Sequence, residues 1–533
     1  MKKKLLVIGI DGATWDLIKV WTDKGYLPTF KKLIDNGTWG ILESTIPPWT
    51  IPAWESMTTG KSPDKLGFAT FTIRENYKFI PYLFKYKEQK RIWDFLSDKG
   101  YKVVVANLPN IYSVKEINGC LICGWLCLDK NNIMYPKDLI DEINNHCGGY
   151  KLDIFDVDLK SGILIDKSIN DKEYIKNCED LLENHFSVFK YLLQKYEWDF
   201  GFLVFVSPDR IMHRCWDEEI LLNHYKKIDE KIKELLKLID DNTIIFLVSD
   251  HGFGQIKYIL RINEFFIREG YLHLKNISKS KKNTIIVYIY NLLKKLGLIP
   301  IIKSFLKILP QNITKNLIKN ISPINYEKMD IDWKNTKAFA YSVCGDIYLN
   351  VKGRDPQGTV DVSEYDNLRN EIIKKIKNIG YEKKLNIQIF KKEEVFPTAT
   401  LKDNFPDLII VPTDDGIQLV NPNIEGGEII DELNESRGNH RLNGIFLAYG
   451  PGIRKDNKIE NAKIYDITPT ILHIFGLPIP NDVDGKVLME IFEEDSAFAK
   501  RKPKYVDPNY YNKELYDKKL KKAIKKLKLK GKI

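Results

Sequence analysis

Histidine is scarce in this chain, 8 in 533 residues, and cysteine scarcer still at 7, with no framework spacing. An odd number of unspaced thiols excludes a disulfide-built scaffold, so reduced cysteines in a cytoplasmic protein are expected. Cys120, Cys123 and Cys127 cluster in GCLICGWLC. That setting is apolar and strand-like, where cysteine serves as a small hydrophobe, and no metal cluster is expected there. No apolar run approaches the roughly 18 to 20 residues that span a bilayer. The opening MKKKLLVIGIDG places basic residues before an apolar run, but Asp11 ends that run and no small-residue cleavage site follows. It reads as a first strand, not a signal peptide. A broadly basic surface is missing too. The net charge is +10, yet residues 501–533 hold 13 Lys and Arg against 3 Asp and Glu, which is the whole excess. The body is formally neutral and only the tail is basic.

What is present begins with the stretch 202–251. FLVFVSPDRIMH and TIIFLVSDH each open on a short run of β-branched and aromatic residues, too short for a helix and most simply a central strand. Asp209 and His213 follow the first run, and Asp250 and His251 follow the second. Acid and imidazole are thereby delivered at the carboxyl ends of parallel strands, where open α/β sheets put their sites. An Asp at a strand end is often only a helix cap, and one Asp-His pair is common by chance. Two pairs at equivalent strand ends, in a chain with so few histidines, are less easily dismissed. Mixed carboxylate and imidazole ligands suit zinc, with manganese or iron as competitors.

KLLVIGI delivers a further carboxylate, Asp11, in the same way. In PPWTIPAWESMTTGKSPDKLGF the prolines are expected to hold off a helix until Ala53, so Thr50 would sit just before a helix N-terminus. There it either caps the helix or presents its hydroxyl where an anion is favoured. KVVVANL at 102–108 reads as another strand and about 172–196 as a helix, within an insertion over about 69–190. A second, helical insertion is expected over about 276–330. FPDLIIVP and NGIFLAYGPGI read as further strands, with His440 in a loop between them. A terminal helix starts near Thr468, and the compact body should finish near Phe492. The fold class expected is α/β: a mostly parallel central sheet with helices on both faces, its insertions forming a cap. One catalytic domain would cover 1–494, followed by a basic helical C-terminal tail, 495–533.

The pieces IDGATWD, PPWTIPAWESMTTGKSPDKLGF, SPDRIMH, SDHGF, GNHR and DITPTILHIFGLP together resemble the alkaline phosphatase superfamily, and within it the type I phosphodiesterase/nucleotide pyrophosphatase family. GRDPQG and FPDLIIVP are similar to its prokaryotic branch. The resemblance runs from residue 1 to about 490. It implies that Asp11, Asp250 and His251 hold one divalent ion together with the Thr50 oxygen, and that Asp209, His213 and His440 hold a second. It implies Thr50 as nucleophile, a phospho-threonine intermediate and a small phosphoester or phosphodiester substrate. A phosphomonoesterase or phosphomutase would share that site, and an inactive scaffold working through its tail is the non-enzyme alternative. The side chain three residues after Thr50 is Ala53, which offers nothing polar to a phosphate oxygen. That support then falls to backbone N–H groups or to Lys61, Arg437 or Arg441. In the tail, Leu520, Ile524 and Leu527 share one helical face among lysines, a pattern suited to an anionic membrane surface. Nucleic acid is the weaker partner, since aromatic interleaving is nearly absent after Tyr516.

Overall fold

In the computed structural model the described residues are 3–82, 89–109, 111, 114–127, 132–157, 164–165, 170–275, 330–400, 405–424, 428–433 and 436–512. The chain divides into two compact units: Met1–Ile73 with Pro81–Gly254 and Ser436–Ile533, and Arg74–Ile80 with Gln255–Glu435.

The first unit is built on a nine-stranded sheet. Its strands in chain order are β1 (Lys4–Ile10), β2 (Thr38–Glu43), β3 (Val103–Leu108), β4 (Gly119–Cys123), β5 (Met134–Tyr135), β6 (Phe200–Phe205), β7 (Thr243–Val248), β8 (Asn443–Tyr449) and β9 (Asn457–Lys463). In space they run β9-β2-β8-β7-β1-β6-β3-β4-β5. The central run from β7 to β4 is parallel, and β8 and β5 run against it. Both faces of the parallel strands are buried, which is why β6 and β7 read as continuous apolar runs and not as alternating ones. Helices cover both faces. Asp171–Lys195 and Glu218–Leu236 pack on one, and Thr50–Thr59, Ile92–Asp98 and Ile467–Phe475 on the other. The fold class is therefore the α/β architecture expected.

Several expectations need correcting. The helix at Thr50 starts at Thr50 itself, with Trp49 at its N-cap. Pro52 does not delay it, because a proline in the first turn lacks only an N–H that would have no intrahelical partner there. The region 69–190 supplies not one sheet strand but β3, β4 and β5. The body does not finish near Phe492. Tyr505–Val506 pairs in parallel with Ile479–Pro480, and buried Tyr511 donates from its hydroxyl to the Pro478 carbonyl at 2.6 Å. The helical insertion lies outside the described residues but for residue 330, as does the tail beyond residue 512.

The second unit carries the FPDLIIVP strand, Leu408–Val411, in a four-stranded antiparallel sheet with Ala338–Ala340, Asp346–Leu349 and Gln388–Lys391. A helix, Tyr365–Glu382, shares its core. That strand is thus real but is no part of the central sheet.

Candidate metal centre

Three neighbouring strands, β7, β1 and β6, end at one place because they are in register: Ile10 pairs with Phe205, and Gly9 with Val248. Asp11 follows β1 directly. Asp209 and His213 lie one turn apart on the helix Ser207–Arg214 that follows β6, and Asp250 and His251 follow β7. His440 arrives on a short strand, Gly438–Arg441, paired with Gly252–Gln255. The helix that begins at Thr50 can come down onto the end of β1 because residue 9 is glycine. A Cβ there would lie 2.5 Å from the Trp54 ring.

All seven sequence-derived residues meet here. His251 Nε2 lies 3.3 Å from the Thr50 hydroxyl oxygen, 3.2 Å from Asp250 Oδ2 and 3.6 Å from Asp11 Oδ1. Asp209 Oδ1 lies 3.2 Å from His440 Nε2 and 3.4 Å from His213 Nε2. Those two nitrogens are 2.8 Å apart. Two groups, Asp209 with His213 and His440, and Asp11 with Asp209 and His251, each bring their ligand atoms within 4.8 Å of one another. Asp209 thus stands in both.

The donor set fits divalent cations. Asp11 Oδ1, Asp209 Oδ1 and Asp250 Oδ2 are buried and have no hydrogen-bond partner, and a buried carboxylate oxygen without one is costly unless a cation serves it. Each carboxylate has its other oxygen engaged. The Gly12 N–H donates to Asp250 Oδ1 at 3.3 Å, Trp54 Nε1 to Asp11 Oδ2 at 3.5 Å, and Arg210 Nη1 to Asp209 Oδ2 at 2.6 Å. Gly12 reaches that position in a left-handed turn, φ 72°. The histidines follow the same rule. Nδ1 of His440 faces the Pro48 carbonyl at 2.8 Å and Nδ1 of His251 faces the Gly252 carbonyl at 3.1 Å. A carbonyl only accepts, so Nδ1 carries the proton and Nε2 keeps the lone pair a metal needs.

Electrostatics agree. Burial, then the charges of Asp250 and Asp209, push the Asp11 carboxyl well above the usual range, and burial followed by Asp209 does the same to Asp250. Burial, then His440, holds His251 far below the ordinary imidazole value and so neutral. For Asp209 burial also works upward, but His213, His440 and Arg210 overcome it and keep the group ionised. A cation placed here would relieve the repulsion among three carboxylates and meet a His251 imidazole that is already neutral.

The decisive comparison is with protein families. Residues 5–443 match the model of the type I phosphodiesterase/nucleotide pyrophosphatase family. The chain belongs to that family. Membership makes it a phosphoester hydrolase by family. No curated protein sequence matches significantly. Among solved structures, murine ectonucleotide pyrophosphatase/phosphodiesterase 5 is 14% identical, with 92% of this chain and 100% of that chain covered and a TM-score of 0.48. Phosphonoacetate hydrolase from Sinorhizobium meliloti 1021, solved with phosphonoacetate, is 14% identical, with 89% and 95% covered and a TM-score of 0.49. Neither reaches a TM-score of 0.5, so neither bears on what this family member acts on.

Of the groups expected to support a phosphate oxygen, Lys61 is displaced. It follows the far end of the ten-residue helix Thr50–Thr59, about 15 Å of rise from Thr50. There its ammonium binds Asp482 at 2.6 Å and Gln89 at 2.9 Å. Arg441 is buried and turns Nη1 to the Asn439 and His440 carbonyls, and Arg437 is half-buried at the start of the same strand. Pro52 has no N–H and that of Ala53 bonds the Trp49 carbonyl, so the first turn offers the amides of Thr50 and Ile51. Sequence reasoning missed Trp54 and Arg210, although Arg210 adjoins Asp209 in SPDRIMH. It also missed Asp153, which nothing local marks.

Proposed function

We propose that this protein is a metal-dependent phosphodiesterase or nucleotide pyrophosphatase-type hydrolase with Thr50 as its nucleophile and two divalent ions. The observation that carries the reading is the convergence of three partnerless carboxylate oxygens and inward-facing imidazole Nε2 atoms beside the Thr50 hydroxyl. Asp11, Asp250, His251 and the Thr50 oxygen would hold one ion and Asp209, His213 and His440 the other, with Asp209 close enough to serve both. Zinc suits this donor set, and manganese or iron would also be accepted. When bound, such ions supply the charge that lowers the pKa of a hydroxyl and stabilises a departing oxygen.

The chain's own groups set the geometry. Thr50 Oγ1, fixed at a helix N-terminus, gives its proton to solvent and attacks phosphorus while the bond to the leaving oxygen breaks, and that oxygen takes up a proton as it departs. Water then attacks the phosphorus held on Thr50, the Thr50–phosphorus bond breaks, the Thr50 oxygen takes up a proton to return as the hydroxyl, and the phosphate monoester is freed. Burial of Thr50 limits the water that reaches its hydroxyl, and the Thr50 and Ile51 amides, without intrahelical acceptors in the first turn, would stabilise negative charge that develops beside it. The test is turnover of bis(p-nitrophenyl) phosphate against p-nitrophenyl phosphate by the purified zinc- or manganese-loaded protein. Faster diester hydrolysis is expected. A strong preference for the monoester would move the reading to a phosphomonoesterase, and inertness toward both would leave the scaffold alternative.

A further inference from the structure

Arg210 stands apart from the other two donors that engage a site carboxylate, because it is charged and buried. Its Nη1 holds Asp209 Oδ2. The rest of the fork is turned away from the site, with Nη2 2.8 Å and Nε 3.3 Å from the carboxylate of Asp153. Both partners are withdrawn from solvent, with side chains 6% and 1% exposed. The guanidinium plane lies near two rings, 4.6 Å from the Trp125 centroid and 5.5 Å from that of Phe155. The segment bearing Asp153 is fastened in turn. His185 Nε2 donates to the Lys151 carbonyl at 2.7 Å, and the Lys151 N–H donates to Asn184 Oδ1 at 2.8 Å.

A buried ion pair of this kind is a poor stability device, since apolar side chains of similar volume commonly serve as well. What an Arg–Asp pair supplies here is direction. With one oxygen of Asp209 taken by Nη1, only Oδ1 remains, and it is the oxygen that faces His213 and His440. Asp153 balances the guanidinium charge, so the cluster keeps its full negative charge for cations.

We propose that Arg210, held by Asp153, is a positioning residue of the metal centre that commits Asp209 to binding through Oδ1 alone. The inference rests on the two-metal reading of the site, and it assigns to a segment 57 residues away in sequence from Arg210 a part in setting metal affinity. Outer partners of metal ligands typically contribute 10 to 100-fold in affinity.

The experiment is a chelator-competed zinc titration of wild type, Arg210→Met, Asp153→Asn and the double variant, with the visible spectrum of the cobalt-substituted proteins as a second readout. Arg210→Met should weaken the ion held by Asp209, His213 and His440 by about 10 to 100-fold, affect the other ion less and alter the cobalt spectrum. Asp153→Asn should weaken the same ion less. The double variant should match Arg210→Met, because Asp153 acts through Arg210. Affinities unchanged within about twofold, with only the melting temperature lowered, or additive losses in the double variant, would overturn the proposal. If Arg210→Met does not fold, Arg210→Lys takes its place. It keeps the charge but cannot serve both carboxylates with one fork, so an intermediate loss is expected and wild-type affinity is fatal. Wild-type protein that binds fewer than two ions would overturn the reading of the site itself. Two ions in wild type with unchanged variants overturns this inference alone.

Discussion

The two units bury carboxylates to the same depth and treat them in opposite ways. In the second unit Asp407 is fully buried, and both its oxygens are engaged: Arg354 reaches them at 2.7 and 2.8 Å, the Tyr365 hydroxyl donates at 2.6 Å and the Leu349 N–H at 2.7 Å. Asp355 beside it is held by Arg74, Arg354 and the Val351 N–H. Burial works to raise the Asp407 pKa, but the Arg354 charge and hydrogen bonds, with Lys392, hold it far below the usual range. In the first unit Asp11, Asp209 and Asp250 each keep one oxygen without a partner. Only one of the three, Asp209, touches an arginine, whose remaining hydrogen bonds go to Asp153. Burial alone does not mark a site; the unfilled half of each carboxylate does. A satisfied network fixes a fold, and an unsatisfied one is a place for charge that arrives from outside.

The largest effect should come from Thr50, the proposed nucleophile. Thr50→Ala is expected to lower diester turnover on the order of 10³-fold or more, while elemental analysis still finds two ions per chain. Thr50→Ser should keep part of the rate, since it retains the oxygen. A Thr50→Ala enzyme with most of the wild-type rate would detach the orphaned carboxylates from any chemistry at that hydroxyl.

The next effect breaks the comparison itself if it fails. Asp407→Asn leaves Arg354 under-compensated in a buried network and should cost about 3 to 5 kcal/mol of stability, without changing the metal content. Asp250→Asn should do the reverse: it removes an ion and activity, yet the chelated protein should melt no lower than wild type, because a repelling charge has gone. Melting temperatures with and without chelator, beside elemental analysis, separate the two. A chelated Asp250→Asn protein that melts several degrees lower would show that Asp250 is as structural as Asp407.

The pH dependence has opposite signs at Asp11 and Asp250 on one side and at Asp407 on the other. Asp11 and Asp250 have folded pKa values above their unfolded value near 4. Their protonated forms favour the fold below that value, and the contribution is lost as pH rises through the raised values. Asp407, depressed in the fold, contributes stability above about pH 4, and that contribution is lost as pH falls through its folded value. Chelated wild type should therefore lose melting temperature from about pH 4 upward more steeply than chelated Asp250→Asn, and saturating zinc should remove the difference. Parallel profiles for the two chelated proteins would contradict the repulsion inferred for the site.

Much of this was legible in the sequence where the physics is local. Buried parallel strands write themselves as runs such as FLVFV and TIIFLV, and a carboxylate at the end of such a run has one place to be. Asp11, Asp209, Asp250 and His251 could be read that way, and His440 could be placed only through the family resemblance. The Arg210–Asp153 pair was invisible, because two distant side chains meeting in a core leave no period or spacing. The second unit was hidden for another reason. Its strands are three or four residues long, too short for alternation to register. The helix start differs by three residues, Thr50 and not Ala53, because proline is tolerated in a first turn where the sequence reading takes it as a barrier.

The smallest effect concerns the basic end of the chain, where 13 Lys and Arg against 3 Asp and Glu over residues 501–533 make up the whole net charge. The end of the chain is described to residue 512. Before it, Arg501 donates to the His473 and Ile474 carbonyls at the end of the helix Ile467–Phe475, and Tyr511 is buried against the body. After it comes the lysine-rich stretch, which we propose meets an anionic membrane surface and takes no part in catalysis. Deleting 513–533 should leave turnover of a small soluble diester and the melting temperature unchanged, and should reduce sedimentation with phosphatidylserine vesicles, most clearly at low salt. Deleting from residue 501 should instead destabilise the fold, since Tyr511 alone stands for about 3 to 5 kcal/mol by analogy with other buried aromatics. Equal melting temperatures for the two truncations would show that residues 501–512 add nothing to the fold. Full-length protein that ignores such vesicles at low salt would remove the membrane from the account and leave the tail as solvated charge.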